Sequence, residues 1–100
     1  RRQILGTIPG HPTGLASDGV HVWVADSSNC SICKISLDDS KARTSVGSYG
    51  SGKGHFSAPE GLAVADGQLF VADEGNHRIV VLDAETLAWR TAFGTKGDGP

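Results

Sequence analysis

The feature that most constrains this chain is an internal repeat: the sequence matches itself without gaps when it is shifted by 47 residues, from Gly14 to Gly61 for example. Of the 45 residue pairs formed by positions 9–53 and 56–100, 14 are identical. Average residue usage would give about three. A repeat of this length, present twice in 100 residues, indicates one supersecondary unit used two times.

Each repeat has the pattern of four short strands separated by turns. In the second repeat we predict strands over residues 61–65, 68–72, 78–83 and 87–93, with turns at Asp66-Gly67 and Gly75-Asn76. In the first repeat the corresponding strands are predicted over residues 13–17, 21–25, 31–37 and 42–46. Because helical spacing is nowhere convincing, the sequence predicts an all-β fold made of four-stranded antiparallel sheets.

The second repeat resembles the NHL-repeat family. The resemblance is carried by three stretches, Pro59-Glu60-Gly61-Leu62-Ala63-Val64, Leu69-Phe70-Val71-Ala72-Asp73 and Gly75-Asn76-His77-Arg78-Ile79. The Asn-His-Arg tripeptide in the last of these is the one that gives the family its name. The first repeat is a degenerate copy, with Cys30 and Ser31 in place of His77 and Arg78. The resemblance implies that each repeat is one blade of a β-propeller.

The resemblance also implies an incomplete ring, because propellers close with about four to eight blades. Residues 2–7 resemble residues 90–95, and residues 2–8 are expected to form the outer strand of a preceding blade. Residues 9–53 then form the degenerate blade and residues 54–100 the NHL-like blade. Two ways of completing the ring stay open: a longer parent chain that supplies further blades, or three copies that associate into a six-bladed ring.

Charge and hydropathy argue against nucleic acid as a partner and against a membrane span. The net charge of -2 and the isoelectric point near 6.0 provide no basic face for a phosphate backbone, so nucleic acid is disfavoured. No apolar run approaches the roughly 20 residues that a membrane span needs, and no such span is expected. The composition, with 38% hydrophobic and 20% charged residues, is typical of a folded protein.

Polar side chains concentrate in the loops expected on one face of the propeller, where the connection between the second and third strands meets the connection between blades. A rigid scaffold that presents loops is the usual place for binding residues. The candidate binding residues are His11, Asp26, Asn29, His55, Glu60, Asp73, Glu74, Asn76, His77 and Arg78, with Tyr49 nearby. A structural alternative stays open, in which Asp73 and Asn76 cap turns and Arg78 pairs with a neighbouring loop.

Two patterns could suggest a metal or redox site, and neither is predicted to form one. Cys30 and Cys33 are three residues apart, so on an extended strand their sulfurs point to opposite faces; we expect a buried Cys33 beside an exposed Cys30. The four histidines show no ligand spacing. We therefore assign no metal site, no cofactor and no catalytic residue.

The family resemblance points to a non-catalytic scaffold that binds a protein, a peptide or a small polar ligand. Two alternatives stay open. The chain could be a fragment of a propeller enzyme, a metal-dependent lyase or hydrolase resembling the amidating lyases, with its other ligands on missing blades. It could instead be a self-assembling repeat fragment that forms a six-bladed trimer.

Overall fold

The computed structural model describes residues 12–39 and 42–94, and within them the chain forms two sheets. The first sheet contains β1 (Pro12–Ser17), β2 (His21–Asp26), β3 (Ser31–Ser36) and β4 (Arg43–Val46). The second contains β5 (Pro59–Ala65), β6 (Gln68–Asp73), β7 (Arg78–Asp83) and β8 (Trp89–Phe93), with a short 3₁₀ helix at Glu74–Asn76 between β6 and β7. The strand predicted within residues 2–8 lies outside the described residues.

Both sheets are four-stranded antiparallel meanders in which each strand pairs with its neighbour in sequence. The predicted strands agree with the observed ones to within two residues. The two largest differences are at β5, which begins at Pro59, and at β8, which begins at Trp89. Pro59 still pairs with Asp73 because a bulge absorbs the intervening residue, while Leu87 has a φ of 65° and belongs to the preceding turn.

The turns follow the local chemistry of their residues. Asp66 and Gly67 have φ values of 51° and 75°, the left-handed pair that a two-residue hairpin needs. In the first sheet the carboxylate of Asp18 accepts the backbone N–H groups of Val20 and His21, both at 2.8 Å. Short polar residues therefore fix the hairpins and, with them, the strand register.

The main core lies between the two sheets. Alternate residues of β2 and β3 face alternate residues of β6 and β7 in one buried cluster, which consists of Trp23, Ala25, Cys30, Ile32, Phe56, Leu69, Val71, Val80, Leu82, Ala84 and Leu87. The indole N–H of Trp23 donates to the carbonyl of Ala84 at 2.9 Å, so the largest buried ring has its polar group satisfied. The sheets are thus stacked face to face.

The innermost strands, β1 and β5, approach each other closely. Thr13 Oγ1 donates to the carbonyl of Pro59 at 2.9 Å. A Cβ atom placed on Gly14 would overlap the carbonyl oxygen of Glu60, so only glycine is compatible with this spacing. This contact fixes the short distance between the two sheets at β1 and β5.

The two outer faces differ in exposure. On the first sheet Val22, Val24 and Ile35 form a second buried cluster, with Val24 and Ile35 only 1% and 0% exposed. On the second sheet Phe93 is 57% exposed. Within residues 12–39 and 42–94, the structure has no helix with the length and apolar character that a membrane crossing requires.

Candidate functional site

The carboxylate of Asp73, at the end of β6, is fully buried and accepts hydrogen bonds from several parts of the chain. One oxygen accepts the backbone N–H of Ser57 at 2.7 Å. The other accepts the Asn76 amide at 2.8 Å and the Arg78 Nε at 2.9 Å. The buried charge is therefore paired and hydrogen-bonded on both oxygens, as a buried carboxylate requires.

Arg78 extends this network to the connection between the sheets, residues 47–58, which we call the inter-blade loop. Its guanidinium donates to the carbonyls of Ser51 at 2.8 Å, Gly52 at 3.3 Å and His55 at 2.8 Å. The same group stacks over the Trp89 ring, 5.3 Å from its centroid. One side chain thus holds the carbonyls of the glycine-rich part of this loop, while Phe56 anchors the loop in the core between the sheets.

Two further contacts join the inter-blade loop to the 3₁₀ helix. The amide of Asn76 donates to the carbonyl of Gly50 at 2.9 Å, and the backbone N–H of Gly75 donates to the carbonyl of Ser57 at 2.6 Å. A Cβ on Gly75 would collide with Ser57, which explains the glycine. The two kinds of loop therefore meet on one face, as the sequence predicts. We call this face, residues 47–58 and 74–77, the loop surface.

Several predicted site residues lie on the loop surface with their side chains open to solvent. Glu74 is exposed, and His77 is exposed in a left-handed conformation with a φ of 53°. The imidazole Nδ1 of His55 lies 3.0 Å from the hydroxyl of Ser48. Tyr49 is 78% exposed, the largest exposed fraction among the big apolar side chains of the described residues.

The corresponding turn of the first blade is held by local bonds. Asp26 accepts the backbone N–H groups of Ser28 and Asn29, and the amide of Asn29 donates to its second oxygen at 2.8 Å. Ser31 stands where the second blade has Arg78, so this position has no guanidinium that could bond the carbonyls of a loop. Asp26 and Asn29 thus form a self-capped turn.

Not all candidates gather at one point. Asp73, Asn76 and Arg78 are joined to the backbone of His55, whereas Asp26 and Asn29 belong to the turn of the first blade. Glu60 is exposed on β5, where its carbonyl faces Gly14. His11 lies outside the described residues.

The expectation for the two cysteines was wrong. Cys30 is buried, 7% exposed, and Cys33 is half-buried. Cys30 has a φ of 52°, and this left-handed turn directs its side chain into the core between the sheets. Both thiols are free, and partial burial raises the pKa of the Cys33 thiol. Among residues 12–39 and 42–94, no group of three or more His, Cys, Asp or Glu side chains could hold a metal ion.

Sequence reasoning missed a cleft of about 640 Å³ between the two blades, at the end opposite the loop surface. Its lining includes His21, Trp23, Lys34 and Asp83. A hydrogen bond from Arg90, at 2.7 Å, holds the pKa of Asp83 well below the usual range. Lys34 stands where the second repeat has Val81, and this loss of an apolar residue is the signal that could have revealed the cleft.

Comparison with known proteins supports the architecture. The NHL repeat family matches residues 56–82, which contain β5, β6 and most of β7. Among solved structures, Citrobacter koseri AztD matches with a TM-score of 0.66 and 21% identity, covering 90% of this chain and 26% of AztD. The apo form of AztD from Citrobacter koseri matches with a TM-score of 0.64 and 16% identity, covering 90% and 25%.

The chain therefore spans about a quarter of the length of the structures it matches. No curated protein matches the sequence. At these identities the solved structures establish the fold, which is that of a β-propeller. The chain carries an NHL repeat and is an incomplete NHL-like β-propeller, whose two sheets are adjacent blades.

Proposed function

We propose that this chain is a non-catalytic scaffold that binds a protein or peptide on the loop surface. The observation that carries the proposal is the set of hydrogen bonds from Arg78 to Asp73 and to three loop carbonyls. These bonds order a glycine-rich loop without covering it. An ordered, solvent-exposed loop on a rigid sheet is the arrangement that recognition surfaces commonly use, because little conformational entropy is lost on binding.

The exposed side chains of the loop surface favour a polypeptide partner. Tyr49 offers a large amphipathic ring at 78% exposure, and tyrosine is enriched among the residues that dominate binding energy at interfaces. Glu74 and His77 add a carboxylate acceptor and an imidazole at the adjacent 3₁₀ turn. An exposed aromatic anchor with polar neighbours suits a peptide or protein surface better than a small polar ligand.

We further propose that the ring is completed by additional blades of a longer parent chain, with residues 9–53 and 54–100 as two of its blades. The lengths of the matched β-propellers favour this over assembly from identical copies, because this chain covers only 25–26% of each AztD chain. Any closed ring, from one chain or from three, has to cover both outer faces, including the exposed Phe93 on the second sheet.

The binding proposal can be tested by panning a phage library of random twelve-residue peptides against the 100-residue chain. We expect enriched peptides whose binding is weakened about tenfold or more by Tyr49→Ala, in keeping with the loss of an aromatic anchor. The matched control is Val20→Ala, since Val20 is also exposed, at 52%, but lies in the hairpin at the opposite end of the sheet. Peptides that bind Tyr49→Ala as well as the wild type, or a failure to enrich any peptide, would overturn the proposal.

A further inference from the structure

A shallow groove of about 330 Å³ lies on the outer side of the second blade. Its apolar walls are Ala72, Ile79, Phe93 and Gly94, and His77 also lines it. Tyr49 and the inter-blade loop do not contribute to its lining, although Glu74 and His77 of the loop surface do. An inference about this groove rests on the proposed completion of the ring by further blades and names the contact that the next blade makes.

The internal repeat supplies a filled copy of the same groove. The positions 47 residues earlier include Ala25, Ile32 and Gly47 on the first blade. There the ring of Phe56, 1% exposed, belongs to the same buried cluster as Ala25 and Ile32. A Cβ placed on Gly47 would lie 2.8 Å from the Cδ2 atom of that ring, so Phe56 occupies the space that glycine leaves.

The backbone that frames the groove is the same in both blades. Gly47 and Gly94 have φ values of 111° and 107°. A Cβ on Gly47 would lie 2.7 Å from the carbonyl oxygen of Cys30, and one on Gly94 would lie 2.7 Å from that of His77. The second blade therefore has the same backbone geometry around its groove as the first blade has around the ring of Phe56.

The groove of the second blade is open where that of the first is closed. Ala25 and Ile32 are 0% exposed, whereas their equivalents Ala72 and Ile79 are half-buried. Phe93, which replaces Val46, is 57% exposed. A Phe wall adds the option of offset or edge-to-face packing with an incoming ring.

We propose that this groove binds the aromatic side chain of a polypeptide segment with the pattern of residues 54–59, Gly-His-Phe-Ser-Ala-Pro, as carried by a further NHL-like repeat. The filled groove shows how such a segment is held: beside the buried ring, the backbone N–H of Phe56 donates to the carbonyl of Ser48 at 2.9 Å. Phe56 of this chain already fills the groove of the first blade. The occupant of the second groove must therefore come from another segment.

The test uses the 100-residue chain and a fluorescent peptide with the sequence of residues 52–60, measured by anisotropy. We expect saturable binding that falls about tenfold or more when the peptide carries Phe56→Ala, because the buried ring supplies most of the apolar contact. On the protein, Phe93→Ser should weaken binding. Leu15→Ser is the matched control, since Leu15 is 60% exposed and lies on the first blade.

Amide chemical shifts locate the bound peptide. We expect the shifts to concentrate at Ile79, Phe93 and Gly94. Shifts concentrated instead at Ile32 and Gly47 would mean that the peptide displaces Phe56 from its own groove, and this would overturn the proposal. Absence of saturable binding, equal binding of the Phe and Ala peptides, or unchanged binding by Phe93→Ser would also overturn it. None of these results depends on Tyr49 or on the mass of the chain in solution, so this proposal can fail separately from both parts of the proposed function.

Discussion

Arg78 is the residue on which the order of the loop surface depends. It is 12% exposed at its side chain, and its partner Asp73 is fully buried. The sequence indicated both a binding role and a structural role for these residues. The structure shows the structural contacts directly, because Arg78 reaches across more than twenty residues of sequence to carbonyls whose position depends on the fold. Sequence pattern cannot specify contacts of that kind.

Removal of this guanidinium should destabilise the chain. We expect Arg78→Ala to lower the free energy of unfolding by about 3 kcal/mol, since it leaves the buried carboxylate of Asp73 without its cation. Arg78→Lys should give a smaller loss, because an ammonium keeps the charge but cannot bond the loop carbonyls in the same fork. Urea unfolding monitored by circular dichroism measures both. Arg90→Ala, which removes a more exposed ion pair with Asp83, is the control and should have a much smaller effect. Equal losses for Arg78→Ala and Arg90→Ala would contradict this account.

At the scale of elements, the sequence predicts the strands but not the direction in which the side chains of individual turn residues point. Alternating apolar residues and Gly-containing turns located all eight strands of the described residues to within two residues. The burial of Cys30 was not predictable from spacing, because a left-handed turn residue does not follow the strand alternation. The cleft beside Lys34 was missed because it exists only where two blades stack.

The close packing of β1 on β5 can be tested with a control variant at the equivalent position of the second repeat. Gly14→Ala should lower the free energy of unfolding by about 1–3 kcal/mol, since its Cβ would overlap the carbonyl of Glu60 and force the inner strands apart. Gly61→Ala is the matched control at the same repeat position. There the nearest atom to a new Cβ is the Cβ of Ala72 at 3.5 Å, an ordinary contact, and the effect should be close to zero. Denaturant unfolding of the two variants gives the comparison. Similar losses of free energy at both positions would contradict the idea that Gly14 is required by its close approach to Glu60.

At the scale of the whole molecule, the two outer faces decide how a ring can be completed. A closed trimer would bring the outer face of the first blade in one copy against that of the second blade in the next. The first of these faces contains Val24 and Ile35, which are already buried in the chain, whereas the second leaves Phe93 exposed. We therefore expect light scattering to give the mass of a single chain from low to high micromolar concentration. A single-chain mass would mean that this chain does not close a ring with copies of itself, as the proposal of a longer parent requires, and Phe93→Ser should leave the mass unchanged. A stable mass of three chains would mean instead that the buried face becomes available on association, and the ring would then be complete in the oligomer.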